Sequence, residues 1–210
     1  MSNGQGGASF FGGLTLLPPI APPFSLKQIL REKLRGERRA AAKPDAGKHA
    51  ARLFLDAIPI PEGAAVSLYL PIKDELDTEP LAVALIERGV AIALPVIVKK
   101  GAPLVFRRYA PGDKLTPNGF GTSAPAPDAE AVLPDIVVAP LLGFTRAGGR
   151  LGYGGGFYDR TLEALRKEKQ ILAVGFAYGA QEVDALPLSP LDQPLDYVVT
   201  EREAIRVRSR

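Results

Sequence analysis

Cysteine and tryptophan are absent from this 210-residue chain, and histidine and methionine occur once each. Without cysteine there is no disulfide, no thiolate metal site and no cysteine nucleophile. The single imidazole, His49, excludes a multi-histidine metal centre and reads as a solvated side chain on a helix. No run of about 18 uncharged apolar residues free of proline occurs, so no membrane span is expected. The default compartment is the cytoplasm.

What is present describes an ordinary soluble globular protein, with 46% apolar and 23% charged residues. The length suits one compact domain. Glycine (22) and proline (20) make up a fifth of the chain, which implies many turns. The net charge of +3 is unevenly spread. Residues 1–24 carry no charge, while residues 25–52 hold nine Lys/Arg against three Asp/Glu. The remainder is slightly acidic. With five glycines and four prolines, residues 1–24 lack the basic start and unbroken apolar stretch of a signal peptide. They read as a flexible tail ahead of a single domain over residues 25–210.

Periodicity places the elements. A helix begins at Ser25, a plausible N-cap, with Leu26, Ile29, Leu30 and Leu34 as its apolar stripe. A second helix covers 45–57, and a third spans 78–88 and is closed by Gly89. Strands are read at 65–70, 90–98, 104–109, 136–139, 171–177 and 197–200, with a long loop over 111–131 and a helix over 157–169. The fully apolar run at 136–139 is typical of a buried parallel strand. The alternation predicts an α/β fold, a three-layer α/β/α, Rossmann-like domain with a mostly parallel sheet.

The most informative stretch runs from Gly148 to Asp159 and holds six glycines in nine residues, 148–156. Glycine permits positive φ and close backbone approach to a ligand. Successive N–H groups followed by a helix N-terminus suit a phosphate chain. The Walker loop is excluded, since no lysine lies between Lys114 and Lys167. The dinucleotide fingerprint fails as well, because Phe157 or Asp159 stands where its last glycine is required.

The segment from Phe144 to Asp159 closely resembles the signature of the 5-formyltetrahydrofolate cyclo-ligase (5,10-methenyltetrahydrofolate synthetase) family. The resemblance implies a single α/β domain that uses ATP to convert 5-formyltetrahydrofolate to 5,10-methenyltetrahydrofolate, releasing ADP and phosphate. Three further segments match in order, so the resemblance runs from Lys27 to Glu201. It implies that Lys27 and Arg31, a Lys-x3-Arg pair, bind ATP and act in catalysis together with Arg150. Leu151, Gly152, Tyr153, Gly154, Gly155, Gly156, Phe157 and Tyr158 complete the ATP site. Tyr69, Leu70 and Glu75, with Tyr153 and Phe157, would contact the folate, and Asp159 and Asp192 would bind Mg²⁺.

Arg35, Arg38 and Arg39 are read as a solvated face, and Asp77 and Thr78 as helix-entry residues. The chain departs from the family pattern at Thr145, at Phe157 and in the loop 118–125. It is read as a monomer acting on small molecules, with no nucleic-acid or membrane partner. The alternative is a non-catalytic folate- or nucleotide-binding protein on the same scaffold.

Overall fold

The computed structural model describes Met1 and residues 23–207. The proposed tail, apart from Met1, Pro23 and Phe24, lies outside these residues. Helix α1 (Pro23–Ala41) opens before Ser25, so Ser25 lies within the helix and is not its N-cap. Helix α2 (Ala46–Ala57) follows, its N-cap at Asp45. Strand β1 (Ala65–Ser67) is shorter than the expected 65–70. Helix α3 (Glu79–Glu87) ends at Gly89, whose φ of +73° and N–H to Ile86 O (2.8 Å) close the helix.

Strands β2 (Ala91–Val96) and β3 (Val105–Arg108) come next. The loop expected over 111–131 contains a hairpin, β4 (Leu115–Pro117) and β5 (Ser123–Pro125), around a single 3₁₀ turn. Strand β6 (Ile136–Ala139) falls where its apolar run predicts. A second small hairpin, β7 (Gly143–Phe144) and β8 (Arg150–Leu151), separates β6 from the glycine loop. Helix α4 (Phe157–Glu168), β9 (Leu172–Phe176), β10 (Tyr197–Val199) and β11 (Ala204–Arg206) complete the chain.

The central sheet has the order β11-β10-β9-β6-β1-β2-β3. Its four inner pairings are parallel and the two edge pairings, β10–β11 and β2–β3, are antiparallel. Alternation along the strands sorts side chains by face. Val66, Leu94, Val138, Val174 and Phe176 pack against α2 and α3. Ala93, Val137, Ala173 and Val198 face Leu162 and Leu165 of α4. The result is a doubly wound, three-layer α/β/α domain. The strand order reverses between β1 and β6, and the crevice at their C-terminal ends is where such folds bind ligands. No helix among the described residues is long and apolar enough to cross a membrane.

Helix α1 lies across this crevice. Only Leu30 and Leu34 of the predicted stripe turn inward, packing on Leu142 and Leu151, while Leu26 and Ile29 are exposed. Gly143 allows this docking, since a Cβ there would sit 2.5 Å from Leu34 Cδ1. At about 100° per residue, Lys27, Arg31, Leu34 and Arg38 share one sector of roughly 60°, and Ile29 lies nearly opposite. The inward face of α1 is therefore half apolar and half cationic.

Candidate active site

Two polar clusters meet at the glycine loop. The first is open to solvent along one edge. Arg31 Nε donates to Gly152 O at 2.9 Å, and its guanidinium lies against Gly154, where a Cβ would stand 3.2 Å from Cζ. Gly154 (φ +99°) and Gly156 (φ +64°) adopt conformations that L side chains resist. Gly156 is the N-cap of α4, so the helix directs its N-terminal amides at the loop. Burial, then Arg35, lowers the pKa of Arg31, and Asp192 opposes this.

Lys27 Nζ is 2.7 Å from Asp192 Oδ2, which also accepts from Ser189 N (2.5 Å) and Oγ (2.9 Å). Burial raises the Asp192 pKa, but Lys27 and Ser189 outweigh it and leave it below the usual carboxylate range. Asp159 Oδ1 accepts from Arg150 Nη2 (2.7 Å) and from Gln193 N (3.2 Å). The backbone of the residue after Asp192 thus touches Asp159. Asp159 Oδ2 and Asp192 Oδ1 carry no hydrogen bond among the described residues. No group of three or more His, Cys, Asp or Glu suited to a metal occurs there. Two carboxylates with a free oxygen each do fit Mg²⁺, which takes its remaining ligands from phosphate and water.

The second cluster is buried. Glu75 is 7% exposed; its Oε2 accepts from Ile72 N (2.9 Å), and its Oε1 accepts from the Tyr153 hydroxyl. Arg38, read as a solvated residue, is instead 2% exposed. Its Nε donates to Asp74 Oδ2 at 2.9 Å, its Nη1 donates to the Tyr153 hydroxyl, and Glu75 Oε1 lies 3.7 Å away. Burial raises the Glu75 pKa against the bonds from Tyr153 and Ile72 and the charge of Arg38. Burial and Glu75 push the Tyr153 phenol well up.

Other expected site residues take supporting positions. Arg150 is 5% exposed beneath the loop, its Nη2 paired with Asp159 and its guanidinium over the Tyr158 ring, while its buried Nε has no hydrogen-bond partner among the described residues. Leu151 is buried against Leu34, leaving only its backbone for a ligand. Phe157 and Tyr158 pack on the α4 side of the core, with Arg160 over Phe157 and Arg150 over Tyr158. Both are half-buried, whereas Tyr153 is 38% exposed.

Tyr69 is buried, donating to Leu76 O at 2.8 Å, and Leu70 is half-buried beside it. Asp77 sits at the helix entry, accepting from Glu79 N at 2.9 Å, while the Thr78 hydroxyl turns to Tyr69 O (2.7 Å). Thr145 accepts from Gly149 N (3.1 Å) and closes the turn between β7 and β8. Arg35, Arg39 and His49 are exposed, as expected.

A doubly wound domain with a cationic, glycine-lined loop beside a buried carboxylate cluster marks an α/β enzyme. The sequence model described as the 5-formyltetrahydrofolate cyclo-ligase family matches residues 24–201. The chain is 37% identical over 173 residues to 5-formyltetrahydrofolate cyclo-ligase of Escherichia coli K12, covering 78% of this chain and 94% of that one. It is 33% identical to the Mycolicibacterium smegmatis enzyme of the same name, covering 85% and 95%. The NMR structure of Aquifex aeolicus 5,10-methenyltetrahydrofolate synthetase matches with a TM-score of 0.70 at 30% identity, over 88% of this chain and 94% of that one. This chain belongs to the 5-formyltetrahydrofolate cyclo-ligase family. It is a ligase of one-carbon folate metabolism that converts 5-formyltetrahydrofolate to 5,10-methenyltetrahydrofolate.

Proposed function

We propose that the open cluster holds MgATP, that the buried cluster holds the folate, and that the reacting atoms meet at the glycine loop between them. One observation carries this reading: Tyr153, rooted among the loop glycines, hydrogen-bonds Glu75 in the other cluster. A triphosphate on the loop and a pterin on Glu75 would therefore share a boundary.

A formamide carbonyl is a poor electrophile, so its oxygen attacks the γ-phosphorus as the bond to ADP breaks. The phosphoryl group now sits on the formyl oxygen, and the neighbouring folate amine attacks the activated formyl carbon. That amine gives up its proton, the ring closes and inorganic phosphate leaves. Lys27, Arg31 and the amides of Gly152–Gly156 hold the phosphates and neutralise charge as it builds. Asp159 and Asp192 would hold Mg²⁺, which when bound supplies further charge neutralisation to the phosphate oxygens. Lys27 must exchange Asp192 for phosphate oxygens when ATP binds. Arg150 orients Asp159 and supports the loop from beneath.

Glu75 accepts from the outward N–H groups of the pterin, with Leu70 along the ring. No side chain is needed as a nucleophile.

The test is absorbance of the methenyl product formed from 5-formyltetrahydrofolate. Formation that requires both ATP and Mg²⁺ supports the reading. Formation without either one overturns it, and folded protein that binds folate without turnover returns the binding-protein alternative.

A further inference from the structure

We propose that Arg38 is a positioning residue for the folate half of the reaction, holding Glu75 and Tyr153 in the arrangement that receives the pterin. The inference rests on the reading that Glu75 contacts folate.

Burying a guanidinium carries a large desolvation penalty that only close anionic partners offset. Arg38 is 2% exposed, and its partners are Asp74, Glu75 and Tyr153. Helix α1 also docks through an apolar contact, Leu30 and Leu34 on Leu142 and Leu151. The charge is spent on the site. Asp74 takes Nε at 2.9 Å and fixes the plane of the fork, so that Nη1 is aimed at the Tyr153 hydroxyl and at Glu75 Oε1, 3.7 Å away.

The hydroxyl accepts from Arg38 and donates to Glu75, a chain whose direction the always-protonated guanidinium sets. The Arg38 guanidinium also stands over the Tyr153 ring, 5.5 Å from its centre. Two consequences follow. Against burial and the neighbouring Asp74 charge, Glu75 is favoured as an acceptor by the hydrogen bonds from Tyr153 and Ile72 and by the Arg38 cation; Tyr69 and Tyr158 also face this carboxyl. The glycine loop is held in register with the folate wall through Tyr153. Arg38 Nη1 is committed to the Tyr153 hydroxyl and faces Glu75 Oε1, so its action runs through these two groups.

Steady-state kinetics of the full chain test this with Arg38→Lys, Arg38→Gln, Asp74→Asn and Glu75→Gln. Arg38→Gln should raise KM for 5-formyltetrahydrofolate by about tenfold or more, with kcat and KM for ATP within about twofold. Arg38→Lys, which keeps the charge and loses the fork, should recover part of that loss. Asp74→Asn, which frees the fork to rotate, should give a smaller rise. The acid limb of kcat/KM for the folate should move up by about one pH unit in Arg38→Gln and stay in place in Arg38→Lys.

Thermal melts establish that each variant is folded, and if Arg38→Gln does not fold, Arg38→Lys and Asp74→Asn carry the test. Equal rises in both KM values, tracking a lowered melting temperature, would make Arg38 a helix anchor and overturn the proposal. So would a folded Arg38→Gln with unchanged folate KM. If Glu75→Gln leaves the folate KM untouched, it is the reading of Glu75 as a folate contact that fails.

Discussion

The two halves of the site use the same helix in opposite ways. Toward the open side, proposed to hold the phosphates, α1 offers Lys27 and Arg31, half-buried cations whose present partners are an aspartate and a backbone carbonyl. Toward the buried side, proposed to hold the folate, it offers Arg38, sealed from water between two carboxylates and a phenol. An anionic ligand can replace the partners of the first pair, because exchanging one charge-assisted contact for another costs little. The second cluster is not exchanged but preassembled. Its cation shapes a carboxylate instead of meeting the ligand. A polyanion needs loosely held positive charge, whereas a neutral heterocycle needs a fixed edge.

The largest effect should come from emptying the open side. Arg31→Ala removes a cation from the loop and should lower kcat/KM for ATP by about 10²–10³-fold, with KM for the folate nearly unchanged. Equal losses for both substrates in the product assay would show that the two clusters act as one and would erase the contrast.

Next in size is a change that strikes both halves at once. Leu34 is fully buried on Leu142 and Leu151 and fixes the seating of α1. Leu34→Ala should cost about 2–5 kcal/mol of stability, read from the urea midpoint. It should also raise both KM values together, because Lys27, Arg31 and Arg38 all hang from the same helix. A rise confined to one substrate would mean that the clusters are positioned independently of α1.

The contrast also explains what could be read from the sequence. Sheet and layers were legible: the run at Ile136–Ala139 and the strand–helix alternation follow from burial on both faces. The two hairpins were not, since strands of two or three residues carry no periodicity. Lys27 and Arg31 were visible as a spacing, but Arg38 was assigned to water. A stripe drawn at every fourth residue drifts by about 40° per step, so Arg35 and Arg39 rotate away to solvent. Steps of four and then seven return to the starting face within about 20–40°, which puts Arg38 back beside Lys27 and Arg31. The signal was in the spacing, yet only the buried carboxylates of the 74–75 loop explain why a cation is kept there.

A subtler change isolates the cradle. Gly156 holds φ +64°, and a Cβ there would meet Arg160 Nη1 at 2.6 Å. The side-chain end can move aside; the left-handed backbone cannot be relieved so easily. It costs an alanine about 1–2 kcal/mol. Gly156→Ala should raise KM for ATP by roughly five- to thirtyfold, the same energy at 1.4 kcal/mol per decade, with folate binding unaffected by isothermal titration. Unchanged ATP kinetics would mean that the N-terminus of α4 is not where the phosphates lie.

The smallest effect, and the finest probe of the buried half, is the pH dependence of stability at two adjacent carboxyls. Burial raises the pKa of Asp74, but the hydrogen bond and charge of Arg38 outweigh it, leaving the folded value below the ordinary 3.8. The unfolded chain then binds the proton more tightly, so Asp74 stabilises the fold above that value and the contribution is lost as pH falls through the folded pKa. Glu75 has the opposite sign. Burial dominates and lifts it above the ordinary 4.5, so the folded chain binds the proton more tightly. Stability is therefore lost as pH rises through the window just above 4.5. The melting temperature of Asp74→Asn minus that of the parent should thus become more negative as pH rises from about 2 to 4. The same difference for Glu75→Gln should become more positive as pH rises from about 4 to 7. Each change should amount to about 2–4 °C. Slopes of the same sign for the two variants would mean that Arg38 does not distinguish the neighbours. The buried cluster would then be a diffuse patch of charge, with no fixed edge for the pterin.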